Sequence, residues 1–370
     1  MAWDVAVVGG GPAGLSAAYE AARRGARTIV VERAVHPRYK TCGGGLLGTT
    51  VRRVSDRITI PAADHTSTMV VTLDGRRRIT RTAPDGPVLA MVRRTEFDDA
   101  LRAAAVEAGA EVRQGVAVRG VEQDAAGARL RLADGGTVAA SVVVGADGSS
   151  GITARHVGVA YSQVDLGLEV ELPIPAADRA RWRGTVLLDW GPIPGSYAWV
   201  FPKDDVLTVG VIAARGSGDA TRAYLRSFVT RLGLDGIEPL QDSGHLTRVR
   251  APASPLHRGR VLVAGDAAGL LEPWTREGIS FAVRSGALAG EHAAAGALDA
   301  YPAAVEAAFG AEMRAGRRLM AAFTRRPWAF HAVLASPPGW RMFRRWCRGE
   351  TTFDILIERL PVRMALALLQ

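Results

Sequence analysis

Apolar positions in this chain fall into short blocks punctuated by glycine. Residues 4–8 form an apolar strand, residues 9–14 a glycine turn, residues 15–24 a small-residue helix and residues 26–32 a second strand. The first 33 residues therefore predict one βαβ unit. Residues 66–92 predict antiparallel strands with Asp74-Gly75 as a hairpin turn. Residues 96–108 predict a helix closed by Gly109, and from 111 to 144 strand alternates with turn. Residues 164–214 supply further strands, 221–232 a helix, and 261–264 a buried strand that runs into Gly265-Asp266. From Gly278 onward the pattern is mostly helical, with breaks at Pro302, Pro327, Pro337-Pro338 and Pro361. Two groups of strands separated by dinucleotide-type elements predict an α/β chain. Its Rossmann-type cofactor domain is discontinuous (1–65, 90–160 and 245–300). An antiparallel-sheet substrate domain (66–89 and 161–244) is inserted into it, and a helical region (301–370) ends the chain.

The first turn carries chemistry. Gly9-Gly10-Gly11-Pro12-Ala13-Gly14 satisfies G-x-G-x-x-G between a strand and a helix. Gly9 permits the tight turn, Gly11 lets backbone approach a pyrophosphate, and Gly14 lets helix and strand pack closely. The helix N-terminus, with Pro12 and Ala13, offers free N–H groups to phosphates. Glu32 ends the next strand, followed by Arg33, where a carboxylate can accept hydrogen bonds from a ribose diol. NAD and FAD share this fingerprint, so the later motifs arbitrate.

Gly145-Ala146-Asp147-Gly148 follows one apolar strand, and Gly265-Asp266-Ala267-Ala268 another, with Glu277-Gly278-Ile279 shortly after. These segments resemble the three fingerprints of the hydroxybenzoate-hydroxylase-type FAD flavoproteins. The resemblance implies FAD, with Asp147 in the second fingerprint and Asp266 on the ribityl chain. It also implies that Gly278 and Ile279 open a helix whose N-terminus faces the flavin ring. Such a helix end can stabilise negative charge on a reduced ring. Arg94, in Arg94-Thr95-Glu96-Phe97-Asp98, matches the R-x-x-F-D of that group and would reach the FAD phosphates; a solvated charge at a helix start is the alternative. No second G-x-G-x-x-G stands between a strand and a helix of a further βαβ unit, so the flavin's electrons must come from outside, from a docked NAD(P)H or a protein donor.

Two further segments narrow the resemblance to the geranylgeranyl reductase family. Pro37-Arg38-Tyr39-Lys40-Thr41-Cys42-Gly43-Gly44-Gly45 is similar to its R-x-K-x-C-G-G-G loop, and Pro194 to Lys203 to its P-x-x-Y-x-W-x-F-P-K signature. The family reduces double bonds in prenyl chains, which implies a hydrophobic prenyl substrate. Flavin monooxygenases and oxidases share the three FAD fingerprints and form the alternative, as does a non-catalytic flavin-binding protein. Tyr197, Trp199 and Phe201 alternate, so on a strand they face one side, either as the wall of an apolar tunnel or as core packing. In the family the Cys42 loop, with Gly43 and Gly44, lies beside the flavin. Its cysteine stands near the reacting alkene, where Cys42 is either a participant in substrate positioning and proton delivery or a small buried hydrophobe. Cys42, Tyr197 and Trp199 are the catalytic candidates, and Tyr197, Cys42 or an ordered water the candidate proton donors. Arg276 stands where the family commonly has glycine. Arginine mimics that glycine poorly at positive φ. With Trp274 it could instead shape a pocket for an anionic or aromatic head group.

Composition then bounds the setting. The 370 residues carry a net charge of +9, with 48% hydrophobic residues and two cysteines. This is a globular composition without a disulfide framework or metal-ligand spacing. Met1-Ala2-Trp3-Asp4 does not open a secretory signal, and no stretch approaches the ~18 apolar residues that span a bilayer. A cytoplasmic protein is expected. Residues 311–370 hold eleven arginines, Arg359 and Arg363 among them, against four acids. They also hold Trp328, Trp340 and Trp346. A basic amphipathic surface with interfacial tryptophans suits peripheral docking on a membrane, and a solvated helical cap is the alternative. No nucleic-acid recognition module accompanies the charge. Cys347 reads as incidental.

Overall fold

The computed structural model describes residues 2–358. Arg359, Pro361 and Arg363, to which the sequence pattern assigns tail charge and a helix break, lie outside the described residues. Val5, Ala6 and Val7 are wholly buried because Trp3–Val8 runs between two parallel neighbours, Thr28–Val31 and Thr137–Gly145. A strand covered on both faces needs a continuous apolar run, and this one has it. The sheet continues through Val261–Val263 to His257–Arg258 on one side and ends at Glu111–Arg113 on the other. The hairpin Val118–Gln123/Ala128–Leu132 branches from Thr137–Gly145.

Helix Pro12–Ala22 starts three residues before the expected start at residue 15. Pro12 occupies the first helical turn, where its missing N–H costs nothing, so Ala13 and Gly14 are already helical. Helix Ile279–Ala295 crosses it so closely that a Cβ on Gly286 or Gly290 would overlap the carbonyl oxygens of Ala13 and Ala17. That crossing brings the N-termini of both helices to one region.

The second sheet has seven strands in the order Gln241–Arg250, Tyr161–Pro173, Val206–Ala214, Tyr197–Lys203, Thr185–Trp190, Thr68–Leu73 and Arg76–Thr82. It is antiparallel except where Thr185–Trp190 runs parallel to Thr68–Leu73. The Asp74-Gly75 hairpin forms as expected, with Asp74 at φ 49°. Leu89–Val92 does not join this sheet. It pairs instead with Gly45–Leu46 and Ala62–Thr66 in a small third sheet, which places the Cys42 loop beside the junction of the layers. A local strand pattern states no partner, so this assignment was not visible in residues 66–92.

Tyr301, Val305, Phe309 and Met313 pack into the core of the first sheet, and the helices that follow pack onto the second sheet. Trp274, Phe323, Phe330, Trp346 and Phe353 form one aromatic cluster, with Trp346 stacked on Phe353 at 4.5 Å between ring centres. Trp340 and Trp346 are therefore buried, and of the three tail tryptophans Trp328 alone is well exposed. Arg344 and Arg348 pair with Asp85, Arg345 with Glu350 and Arg314 with Glu306. This corrects the expectation of interfacial tryptophans: two of the three serve the interior, because aromatic area gains more from packing than from exposure. Among the described residues no helix is long and apolar enough to cross a membrane.

Candidate functional site

One cavity of about 860 Å³ extends from the glycine turn to the aromatic strand of the second sheet. All the predicted site residues line it except Gly14 and Gly265. Gly9, Gly11, Pro12, Ala13, Glu32 and Arg33 stand at one end. Cys42, Gly43, Gly44, Arg94, Asp147, Asp266, Gly278 and Ile279 follow, and Tyr197, Trp199, Phe201, Trp274 and Arg276 stand at the other. The walls change accordingly from polar to apolar.

The glycine end is built for close approach. A Cβ on Gly14 would overlap the Gly9 carbonyl oxygen, and one on Gly265 would come within 2.8 Å of Ala13 Cβ, so both glycines serve packing behind the wall. A Cβ on Gly11 would meet nothing nearer than Arg38 Nη2 at 3.5 Å, so the backbone there is open to the cavity. Glu32 accepts hydrogen bonds from the Gly10 and Ala34 N–H groups at 2.5 and 2.9 Å, which ties the acid to the turn. The Gly10 carbonyl accepts from Arg38 Nη2 at 3.2 Å, and Arg38 also pairs with Asp98. Open backbone at Gly11, a carboxylate at the next strand end and a helix start at Ile279 on the same cavity fit the phosphates, ribose and ring of FAD.

Several roles differ from those expected. Asp147 accepts the N–H groups of Ile152 and Thr153 at 2.7 and 3.1 Å, so its carboxylate secures its own turn. Arg94 is buried, not solvated: it forms a two-pronged pair with Asp98, both contacts at 2.8 Å, and lies beside the Cys42 side chain. Burial works against its charge, but Asp98 and Cys42 together outweigh burial and hold its pKa above the ordinary arginine value. Gly43 is demanded by the protein, because a Cβ would reach 2.7 Å from the Phe201 ring and 3.2 Å from Trp199 Nε1. Gly44 has φ 76° and a Cβ there would overlap the Val92 carbonyl.

Arg276 adopts the left-handed backbone conformation, φ 56°, which side chains rarely hold. Its guanidinium is turned into protein: it pairs with Asp165 at 3.2 Å and donates to the carbonyls of Trp274 and Gly195 at 2.8 and 3.0 Å. Both side chains of the pair are at most 2% exposed. The head-group role expected of Arg276 is corrected accordingly, since Asp165 already neutralises it. Cys347 is also corrected. It is buried on the cavity wall beside Phe343 and Trp346, because helix Pro337–Cys347 folds over the apolar end.

The middle of the cavity holds charges that motif reading missed. Glu169 accepts the Cys42 N–H at 2.7 Å and the Tyr39 hydroxyl at 3.0 Å, and Lys203 Nζ lies 3.3 Å from Glu171. Burial raises the Glu169 pKa, against the charge of Lys203. Burial likewise lowers that of Lys40. Asp266 lies 3.5 Å from His245 Nε2. Burial opposes its charge, but His245, Lys40 and Arg94 hold its carboxyl below the ordinary range. A signal for Glu169 did exist. Asp165, Gly167, Glu169 and Glu171 share one strand face, and acids on the face of a central strand are rarely left solvated.

Behind Thr275 lies Glu272, 1% exposed, accepting from the Thr275 hydroxyl at 2.6 Å. Burial pushes its pKa up to about 7, and that of Glu277 likewise. The folded protein thus keeps protons that the unfolded chain releases near pH 4.5. Stability is expected to fall as pH rises from about 4.5 to 7 and then to level off. Melting curves at pH 5.5 and 8 should differ by several degrees, and Glu272→Gln should shrink that difference. An unchanged difference would remove Glu272 as its source.

Residues 2–172 match the family described as FAD binding domain. A menaquinone reductase of Mycolicibacterium smegmatis is 32% identical over 327 residues, covering 81% of this chain and 78% of its own. A geranylgeranyl diphosphate reductase of Rhodobacter capsulatus is 29% identical over 313 residues, covering 80% and 76%. The crystal structure of a geranylgeranyl bacteriochlorophyll reductase-like protein from Thermoplasma acidophilum superposes with a TM-score of 0.76 at 22% identity, over 100% of this chain and 99% of that one, and has the same fold.

Proposed function

We propose, from the premise that this chain belongs to the geranylgeranyl reductase family of FAD-dependent oxidoreductases, that it hydrogenates C=C bonds of a geranylgeranyl-type prenyl chain. FAD, when bound and reduced, supplies hydride; this chain's residues bind, orient and exclude water. The observation that carries the reading is the continuity of the cavity, in which the glycine turn and the aromatic wall share one space with the Cys42 loop between them.

Tyr197, Trp199 and Phe201 lie 5.9 and 6.3 Å apart between successive ring centres and make one apolar wall on which a prenyl chain can lie. Trp346 and Phe343 close it from the tail. Orientation against this wall and exclusion of water matter because an unactivated alkene offers no polar handle. The Cys42 N–H donates to Glu169, and its carbonyl lies 3.5 Å from Lys203 Nζ, so the backbone of Cys42 is held on both sides. Within this reading the Cys42 thiol is the group that holds a proton beside the alkene. Tyr197 positions: its hydroxyl donates to the Thr275 carbonyl, and burial raises its pKa well above the ordinary phenol range. Tyr197→Phe is therefore expected to lower kcat less than about tenfold, as the loss of one neutral hydrogen bond would. A thousandfold loss, with substrate binding unchanged, would make the hydroxyl the proton source. Electrons reach the flavin from an external donor, NAD(P)H or a reduced protein.

The decisive experiment supplies anaerobically reduced protein with prenyl diphosphates, prenyl lipids and polyprenyl quinones. Products two hydrogens heavier per turnover are expected. Substrate-dependent O₂ uptake with an oxygenated product would replace this reading with a monooxygenase.

A further inference from the structure

Helix Pro327–Ala335 is apolar on every side, for its one polar side chain, His331, is buried. A helix of that composition is normally enclosed all round. This one is not. Its inner side carries Leu334 and Phe330, the latter with its ring centre 4.9 Å from that of Trp274. Its outer side carries Ala332, Trp328 and Val333, the last two 56% and 51% exposed.

The surroundings of that outer side are cationic. Strand Arg76–Thr82, the last of the second sheet, lies against the helix: Arg81 Nε donates to the Leu334 carbonyl at 3.4 Å, and the Arg77 backbone meets His331. Arg76 and Arg77 are exposed on that strand, Arg326 is exposed immediately before the helix, and Arg341 is exposed on the helix that follows. Among the described residues, none of these four pairs with a carboxylate. The chain nearby supplies no acid, since residues 313–349 hold nine arginines and no Asp or Glu. Asp85, Glu306 and Glu350 reach this stretch from outside it, and they pair with Arg344 and Arg348, with Arg314 and with Arg345.

We propose that the outer side of helix Pro327–Ala335 docks on an anionic lipid bilayer, with Trp328 and Val333 entering the interface and Arg77 and Arg326 meeting the head groups. A bilayer surface offers both things this patch lacks, an apolar layer that accepts tryptophan and a field of negative charge. A second copy related by a two-fold axis would bring the same arginines face to face. Nucleic acid would satisfy the arginines and leave Ala332 and Val333 without an apolar partner. The inner side of the same helix packs on Trp274, which lines the main cavity, so docking sets the apolar compartment beside the membrane.

Co-sedimentation of the full-length, FAD-loaded protein with lipid vesicles tests this without substrate, so the result is independent of the prenyl reaction. Binding to vesicles of equal parts phosphatidylcholine and phosphatidylglycerol is expected, at least about tenfold tighter than to phosphatidylcholine alone and weakened by salt. Trp328→Ser with Val333→Ser, and separately Arg77→Gln with Arg326→Gln, should each weaken it at least about tenfold. Arg222→Gln with Arg226→Gln removes the same charge from helix Gly218–Arg231, on the opposite face of the second sheet, and should leave binding unchanged. All of these side chains are exposed, and melting curves and flavin absorbance establish that each variant is folded. The comparison of the two lipid mixtures uses the parent protein and needs no variant. Equal affinity for the two kinds of vesicle, undiminished binding by the Trp328→Ser, Val333→Ser protein, or an equal loss in the Arg222, Arg226 variant would overturn the assignment. So would a dimer in solution that Trp328→Ser dissociates, which would give this face to a second copy.

Discussion

Gly14→Ala is expected to dismantle the cofactor end of the protein, whereas Gly11→Ala leaves the fold standing. A Cβ on Gly14 would overlap the Gly9 carbonyl oxygen. Helix Pro12–Ala22 has no room to retreat, because Gly286 and Gly290 of Ile279–Ala295 are already pressed against its backbone at Ala13 and Ala17. Overpacking a core usually costs about 1–3 kcal/mol. Here backbone meets backbone, so a loss of at least about 3 kcal/mol is expected. Gly11 differs because its nearest neighbour stands 3.5 Å from a would-be Cβ, an ordinary contact. Its alanine variant should change stability by less than about 1 kcal/mol and yet lose FAD affinity, since the methyl group enters the space proposed for the pyrophosphate. Melting temperature and retained flavin absorbance separate the two effects. A Gly14→Ala protein that melts and holds FAD like the parent would sink the packing argument.

The second large effect concerns Arg276 and Asp165. Asp165→Ala leaves a guanidinium buried and unpaired, and removing one partner of such a pair costs about 3–5 kcal/mol. Arg276→Gly should cost less. It releases a left-handed residue, a relief of about 1 kcal/mol, and the Asp165 carboxylate it leaves behind keeps the Gln163 side-chain amide at 2.6 Å. The double variant should recover part of the loss, with a coupling of about 2 kcal/mol in the cycle. Strict additivity in denaturant unfolding would show that the two side chains do not support each other. This pair also accounts for arginine at a position of left-handed backbone: the ion pair and two carbonyl contacts hold it there.

The cofactor end was legible because its requirements are local. A glycine turn, the strand before it and the acid at the next strand end fall within 33 residues, and each is demanded by backbone geometry that neighbouring residues define. The alternation of Tyr197, Trp199 and Phe201 likewise placed three rings on one face. Other expectations failed where the determining contact is remote. Cys347 read as incidental until helix Pro337–Cys347 folded over the cavity, and Arg276 read as a head-group contact until Asp165, 111 residues away, neutralised it. Gly43 lines the cavity, and what only the fold shows is that the Phe201 ring fills the space a side chain there would need.

The sequence by itself determined the glycine-turn fingerprint, the α/β class, the ring-bearing strand and the FAD-linked family. Tertiary structure decided which groups are charged in the cavity, which glycines serve packing, and that the arginine-rich tail walls the apolar compartment. The division follows from range. Turn and strand preferences are set by steric rules within a few residues, whereas desolvation and ion pairing depend on neighbours that only the completed fold brings together.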